Sequence, residues 1–104
     1  MSEVIVAGAD TYDIAAAIEA EGFDVATVDI ANRPALEDAG IADAHTFVLT
    51  EVRQATSISV AKEINEGLKA VVYADGSLPD FARAQADLLL DPDLFEPEAV
   101  AAEL

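Results

Sequence analysis

Five short apolar runs, separated by amphipathic segments, constrain this chain more than any other feature of its sequence. The runs cover residues 4–7, 23–30, 46–49, 70–73 and 87–90. Runs of this length are typical of buried strands, and the segments between them carry apolar residues at helical spacing. Strands that alternate with helices form parallel sheets. The sequence therefore predicts one α/β domain over residues 1–104, with a doubly wound, mainly parallel five-stranded sheet and helices on both faces.

Capping residues predict where the first helices begin and end. Asp10, with Asp13 three residues later, indicates a helix start close to a capping box, and Gly22 ends this helix. Pro34 lies in the first turn of a short helix over residues 35–39. The residues expected to be buried are Ile14, Ala17 and Ile18 in the first helix, and Val25, Val28 and Ile30 in the second strand.

Three further helices are expected to begin at Gln54, Pro79 and Pro97. The first of them runs over residues 54–66, and Gly67 ends it. The residues expected to face inward are Ser57, Val60, Ala61 and Ile64 in this helix, Phe81 and Ala84 in the next, and Val100 and Leu104 in the last.

The charge of the chain limits the partners that it can bind. Five basic residues against 21 acidic ones give a net charge of −16. Nucleic-acid binding through a basic patch and docking to an anionic membrane are therefore excluded. Mean hydropathy is nevertheless positive, at +0.30, so a normal core is combined with an acidic surface. The composition is similar to that of cytoplasmic proteins of halophilic archaea, where molar KCl screens self-repulsion. The alternative is an acidic protein that binds a basic partner.

Several other classes of site and location are excluded by what the sequence lacks. There is no cysteine, which excludes disulfides, thiolate metal sites and cysteine nucleophiles. No apolar run approaches the roughly 20 residues of a membrane span. The chain begins Met-Ser-Glu without a basic segment, so no signal peptide is predicted and a cytoplasmic location is expected.

The order of these segments resembles a known family. Similar stretches cover residues 4–8, 23–29, 36–44, 61–64 and 86–92, which is nearly the whole chain. They resemble the Rossmann-type nucleotide-binding RCK (Trk-type) domains of potassium transport regulators. One helix and one strand of that family are missing after Asp29. The resemblance implies a Rossmann-like sheet with the strand order 2-1-3-4-5, and a binding site at the carboxyl ends of its strands.

The glycine loop departs from the pattern that this family uses for dinucleotides. The G-x-G-x-x-G window reads Gly8-Ala9-Asp10-Thr11-Tyr12-Asp13. Gly8 is kept, but Asp10 and Asp13 replace the other two glycines and place two carboxylates at a helix N-terminus. A pyrophosphate there would stack like charges, so no cofactor is expected. An adenine nucleotide without pyrophosphate is the alternative ligand.

The resemblance implies four further candidates besides the loop. Asp29 follows Gly8 by 21 residues, where the family's ribose-binding acid belongs, although Asp is also common at turns. Arg33 and Arg53 are expected in loops at the binding edge, where they either hold a phosphate or pair with the rim acids. Gln54 is interpreted as a helix-start residue first and a ligand contact second. The tentative cofactor-binding set is Gly8, Asp10, Asp29, Arg33 and Gln54.

No catalytic or metal site is predicted. His45 precedes the third strand, at the amino end of the sheet and away from the binding edge. Ser57 and Ser59 have no neighbouring base in the sequence. Asp91 and Asp93 lack a third and a fourth ligand for a cation. Tyr12 and Tyr73 both approach the strand ends, where they form either a stacking platform or ordinary packing.

Three functional hypotheses follow. The first is a non-catalytic Rossmann-like domain that acts as an interaction or small-ligand regulatory module in a halophilic cytoplasm. The second is a regulatory domain that binds adenosine or a mononucleotide through Asp29 and Arg33. An enzyme is the least favoured. A homodimer is also expected, because Phe95, Val100 and Leu104 add to the apolar surface of residues 88–90.

Overall fold

The five apolar runs form one sheet in which all strands are parallel. In the computed structural model, which describes residues 3–104, the strands are β1 (Val4–Ala7), β2 (Val25–Val28), β3 (Thr46–Leu49), β4 (Lys69–Tyr73) and β5 (Leu88–Leu90). Their order is β2-β1-β3-β4-β5, as predicted. Val4 lies beside both Val25 and Thr46, so the three strands begin at the same level. The predicted doubly wound order of a Rossmann-like domain is confirmed.

Five helices cover the two faces of this sheet. They are α1 (Ile14–Ala20), α2 (Arg33–Ala39), α3 (Thr56–Ile64), α4 (Asp80–Arg83) and α5 (Pro97–Ala102). Helices α2, α3 and α4 supply Leu36, Ile58 and Ala82 to one core, on the side of Phe47 and Leu49. Helices α1 and α5 contact each other and bury the opposite face. That second core is formed by Val4, Val6, Ile14, Ile18, Val48, Val71, Tyr73, Val100 and Ala101, with others.

The second strand is shorter than the sequence predicts. It ends at Val28, and Ile30, which was expected to be buried, is 59% exposed. Val25 and Val28 are only partly buried. The prediction failed because β2 is an edge strand, so the chain leaves the sheet as soon as its last partner on β1 has been paired.

The first long helix begins later than the sequence predicts, at Ile14 rather than near Asp10. Asp10 and Asp13 both have positive φ angles, 49° and 57°, which a right-handed helix does not allow. Ile14 and Ile18 are buried as predicted, whereas Ala17 is only partly buried.

The third helix is also shorter than its predicted range of 54–66. A separate 3-10 turn over Val52–Gln54 precedes it, and it ends at Ile64. The end is fixed by the next residue, Asn65, whose side-chain amide donates to the carbonyl oxygens of Ile41 and Ala44. The buried residues of α3 are Ser57, Ile58 and Ala61, whereas Val60 and Ile64 are partly buried.

The inward face of α4 was predicted wrongly. Phe81 and Ala84 are exposed, and Ala82 is fully buried instead. The helix is a single turn that follows Pro79, and Leu78 is buried beside it. Leu78 precedes the helix and belongs to the same buried cluster as Ala82, so the turn packs with Ala82 inward rather than Phe81 or Ala84.

The last helix follows its prediction. Pro97 begins it, Val100 is buried and Leu104 is partly buried against the α1–α5 core. Across residues 3–104, none of the helices combines the length and the apolar character that crossing a membrane requires.

Candidate functional site

The connections that follow β1 and β3, two neighbouring strands, leave the sheet towards opposite faces. The segment after β1 leads to α1 on one face, and the segment after β3 leads to α3 on the other. In doubly wound sheets this divergence opens a crevice at the carboxyl ends of the two strands, where ligands bind. We call it the switch-point crevice. It has a volume of about 310 Å³ and is lined by Thr11, Tyr12, Thr50, Glu51, Val52, Arg53 and Asp75.

Gly8 and Thr50 meet at the back of this crevice. Gly8 has a φ of 108°, a conformation that residues with a Cβ atom rarely adopt. The Thr50 hydroxyl donates to the carbonyl oxygen of Ala7 at 2.8 Å and accepts from the backbone N–H of Asp10 at 3.2 Å. A Cβ atom on Gly8 would collide with that hydroxyl oxygen. The glycine kept from the nucleotide-binding pattern therefore makes room for Thr50, a residue that the sequence reasoning missed.

Asp10 occupies the N-terminus of α1, as predicted. Its two carboxylate oxygens accept from the backbone N–H groups of Ile14, at 2.7 Å, and of Ala15, at 3.2 Å. These are donors that a bound phosphate would otherwise use. Asp13 also lies at the helix start, but its side chain is exposed and caps no N–H group. Of the two predicted carboxylates, only that of Asp10 engages the helix.

Glu51 brings a second carboxylate against the glycine loop. Its Oε1 atom lies 3.1 Å from the place that a Cβ atom on Gly8 would take. Oε2 accepts from Nε of Arg53 at 2.5 Å, and Oε1 accepts from Nε2 of Gln54 at 3.1 Å. The Arg53 hydrogen bond and charge, together with weaker bonds from Gln54 and the backbone N–H of Ala9, hold the pKa of Glu51 below its ordinary value against the effect of burial. Glu51 therefore stays ionised within this network.

Gln54 joins the segments that follow β2 and β3, the two strands on either side of β1. Its Oε1 atom accepts from the backbone N–H of Ala31 at 2.8 Å, and its Nε2 donates to the carbonyl oxygen of Asp29 at 2.9 Å as well as to Glu51. Both N–H groups and the oxygen of the amide are thus used within the protein. The structure places Asp29 directly after β2, as predicted, with its side chain exposed.

Both candidate arginines pair with acids, but only Arg53 pairs with an acid of the rim, which was one of the two predicted alternatives. Arg53 belongs to the 3-10 turn after β3 and pairs with Glu51 at the rim. Arg33 is the first residue of α2 rather than a loop residue. Its guanidinium lies 3.8 Å from Glu37 and 3.6 Å from Glu63, so it joins α2 to α3 instead of facing the crevice.

Tyr12 and Tyr73 meet, but they do not form a platform. Their ring centroids are 5.9 Å apart, and the rings are inclined at 73°, which is an edge-to-face contact. Tyr73 is buried and donates to the carbonyl oxygen of Phe95 at 2.6 Å, and burial raises its pKa. The Tyr12 hydroxyl donates to Asp75 at 2.8 Å, a bond that raises the Tyr12 pKa. The packing interpretation therefore holds for Tyr73.

Asp75 lies beside Asp91 and Asp93, the two acids for which the sequence indicated no third cation ligand. Carboxylate oxygens of Asp75, Asp91 and Asp93 lie within 4.8 Å of one another. All three residues are exposed, and Asp75 already accepts from Tyr12. Asp75 follows a different strand, β4, so its place at the same edge of the sheet did not show that it lies beside Asp91 and Asp93. Exposed acidic groups of this kind are common without an ion, so we assign no metal to them.

The remaining candidates lie where the sequence placed them. His45 is at the amino end of the sheet, in edge contact with Phe23 and within 2.6 Å of the Thr46 hydroxyl. The Ser57 hydroxyl donates to the carbonyl oxygen of Gln54, and the Ser59 hydroxyl donates to Gln85. Both serines are therefore bonded to groups that cannot act as a base.

The chain belongs to DUF7126, a family of unknown function whose model matches residues 4–104. No curated protein matches the sequence. Among solved structures, it is similar to one named for a pilus assembly-related protein of Burkholderia pseudomallei, with 16% identity and a TM-score of 0.66, over 99% of this chain and 86% of that one. A pilus assembly protein (cpaE) of Burkholderia thailandensis is similar at 16% identity and a TM-score of 0.68, over 99% and 94%. At this identity the likeness shows the fold alone.

Proposed function

We propose that this member of a family of unknown function is a non-catalytic regulatory module that works through protein contacts, and that its own carboxylates fill its nucleotide crevice. One observation carries the proposal. The Asp10 carboxylate holds the first N–H groups of α1, while the Glu51 carboxylate lies against Gly8. These two groups stand where the phosphates of a dinucleotide bind in related folds.

The energetic cost of admitting a phosphate supports this proposal. A phosphate at the helix N-terminus has to displace the Asp10 cap, and such a cap stabilises a protein by about 0.5–2 kcal/mol. Each carboxylate left within about 4 Å of the phosphate adds on the order of 1 kcal/mol of repulsion even in water. Arg53, the basic residue that lines the crevice, is paired with Glu51 and so does not offset these costs.

The carboxylate of the crevice itself supports a role without catalysis. A general base that works near neutral pH needs a carboxyl pKa raised towards 7. The Arg53 hydrogen bond instead holds the pKa of Glu51 below its ordinary value. The RCK-type resemblance, in which such domains regulate a partner, agrees with a regulatory role. The net charge of −16 agrees with a halophilic cytoplasm as its setting.

Ligand binding in about 2–3 M KCl, a range in which charges are screened, tests the proposal. We expect NAD, NADH and ATP to leave the melting temperature of the native protein unchanged. The double variant Asp10→Gly with Glu51→Gln removes both carboxylates and releases Arg53, so it should bind ATP or NAD measurably. Asp13→Gly is the matched control, because the Asp13 side chain caps nothing, and it should bind neither. Tight binding of NAD by the native protein would overturn the proposal.

A second candidate function rests on Asp29. This residue lies at the end of β2 with an exposed carboxylate, while only its carbonyl oxygen is used, by Gln54. Adenosine or a mononucleotide could be held there through ribose hydroxyls without a phosphate in the glycine loop. Adenosine and AMP are therefore separate arms of the same titration. Stabilisation of the native protein by adenosine, abolished in Asp29→Asn, would favour this candidate over the first.

A further inference from the structure

The last strand leaves an apolar edge on the molecule. β5 ends the sheet, and no other strand of residues 3–104 lies on its outer side. Leu88 is 38% exposed and Leu89 is 47% exposed, although both belong to a strand. In the loop that follows β5, Leu94 is 76% exposed and Phe95 is 43% exposed. We call these four residues the β5 patch.

Cavities lie on both sides of this strand. On the side of α5, a largely apolar cavity of about 330 Å³ is lined by Leu88, Leu90, Phe95 and Val100, among others. On the opposite side, a cavity of about 230 Å³ is of mixed character, because Ser77, Arg83 and Asp91 line it together with Leu78 and Leu89. The apolar surface therefore lies mainly on the α5 side of the edge strand.

We propose that this edge is the interface of a symmetric homodimer, in which β5 pairs antiparallel with β5 of a second copy. An edge strand offers unpaired N–H and C=O groups, and a strand that meets its own copy antiparallel across a twofold axis satisfies both chains at once. Centred on Leu89, the pairing places Leu88 opposite Leu90 of the other copy. It joins two five-stranded sheets into one continuous sheet.

The exposed area fits this occupant. The β5 patch exposes the equivalent of about two complete side chains, on the order of 300–400 Å² of apolar surface. A standard interface takes about 800 Å² from each partner, of which roughly 450 Å² is apolar. The patch therefore supplies most of the apolar area that a stable dimer needs.

The charges around the edge make the dimer depend on salt. The same register places Asp87 of one copy opposite Asp91 of the other, and like charges in this position repel. Asp87 is partly neutralised, because it lies 3.0 Å from Nζ of Lys62 and accepts from the backbone N–H of Ala70. Molar KCl screens the remaining repulsion between two chains of charge −16 and strengthens apolar contacts. The dimer should therefore tighten as KCl is added.

Light scattering after size-exclusion chromatography tests the proposal in about 2–3 M KCl, at protein concentrations of about 10–500 μM. We expect the native mass to approach twice 10.9 kDa at the upper end of this range. Leu89→Lys should remain at 10.9 kDa, because a lysine on an edge strand opposes pairing. Ile30→Lys is the matched control at the opposite edge of the sheet, where Ile30 is 59% exposed, and it should dimerise like the native protein.

Two further measurements keep the test decisive. Leu94 is so exposed that Leu94→Lys cannot unfold the protein, and it should weaken the dimer at least tenfold even if Leu89→Lys fails to fold. The N–H of Asp87 donates to Ala70 on β4, so the N–H groups of Leu88 and Leu90 alternate with it onto the free edge. In hydrogen exchange, these two amides should be protected at high protein concentration and lose that protection on dilution. A native mass of 10.9 kDa over the whole range overturns the proposal, and so does a dimer that the Leu94→Lys variant leaves intact.

Discussion

The hydroxyl oxygen of Thr50 stands in the space that a side chain on Gly8 would need. This contact ties the carboxyl ends of β1 and β3 together, because the same hydroxyl also bonds to Ala7 and Asp10. In a nucleotide-binding loop, a glycine at this point makes a tight turn. In this protein it admits a threonine from the neighbouring strand.

Replacing Gly8 tests how tightly that contact is held. Gly8→Ala should destabilise the protein by roughly 2–4 kcal/mol, because it combines a strained φ with the collision at Thr50. Gly22→Ala is the matched control, since Gly22 has a φ of 97° and nothing within 4 Å of its missing Cβ atom. Gly22→Ala should lower the free energy of unfolding by only about 1–2 kcal/mol. Urea unfolding measures both, and equal losses would show that Thr50 does not constrain Gly8.

The two aspartates of the glycine loop should respond to glycine in opposite ways. Asp13 has a φ of 57° and no capping bond, so Asp13→Gly should stabilise the protein by about 0.5–1 kcal/mol. Asp10 also has a positive φ, but its carboxylate caps Ile14 and Ala15. Asp10→Gly should therefore have a net cost of about 1 kcal/mol, because losing two hydrogen bonds to a charged carboxylate outweighs the relief of its positive φ. Thermal unfolding of the two variants decides, and a loss of stability in Asp13→Gly would contradict the argument.

Asp87 should make the stability depend on pH in the acid range. The backbone N–H of Ala70 and, less strongly, Lys62 hold its pKa below the ordinary value of 3.8, against the effect of burial. A lowered pKa in the folded state means that the stabilisation is present above about pH 3.8 and is lost as the pH falls through the folded-state value. Asp87→Asn should cost about 1 kcal/mol at pH 7, a figure kept small because the carboxylate is partly exposed.

The same variant supplies its own control at low pH. As the pH falls below 3.8 and through the lowered pKa of the folded state, the native carboxyl group itself becomes neutral, so the difference between Asp87→Asn and the native protein should shrink. Lys62→Met removes only the ion pair and should cost less than the asparagine variant at pH 7. Urea titrations at fixed KCl measure all three proteins. A pH-independent difference would show that the charge of Asp87 contributes nothing.

Salt should stabilise the folded chain. With 21 acidic residues and a net charge of −16, self-repulsion opposes the compact state until added ions screen it. The melting temperature should rise steeply from dilute buffer to molar KCl. Measured by circular dichroism at fixed protein concentration, an unchanged melting temperature would refute the halophilic interpretation of the surface.

Local sequence patterns were enough to predict the sheet, because each strand is a short apolar run and parallel strands are buried on both faces. They failed where tertiary contacts decide. Ile30 is apolar but exposed, since β2 ends before it. In α4, Ala82 is the buried residue and Phe81 is exposed. Helix ends also depended on distant partners: Asn65, which follows α3, donates to Ile41 at the start of the 3-10 turn Ile41–Asp43 and to Ala44 directly after it.

The candidate site was predictable only in part. Gly8 and Asp10 could be placed because both belong to one loop whose pattern is known in related folds. Thr50 and Glu51 meet that loop from another strand, more than 40 residues away, and nothing in their own neighbourhood marks them. Gln54 was a candidate from the sequence, but its three bonds, which reach the segments after β2 and β3, depend on the fold and could not be predicted from its position alone.

The pairing of α1 with α5 has a consequence for synthesis of the chain on the ribosome. Strands β1, β3 and β4 can pair once residue 73 has emerged, but Val4, Val6, Val48 and Val71 also need Val100 and Ala101 to complete their core. Until those residues are made, one side of the nascent sheet stays uncovered. Molar salt strengthens the attraction between such apolar surfaces, so neighbouring nascent chains in a salt-rich cell would need to be kept apart until the last helix docks.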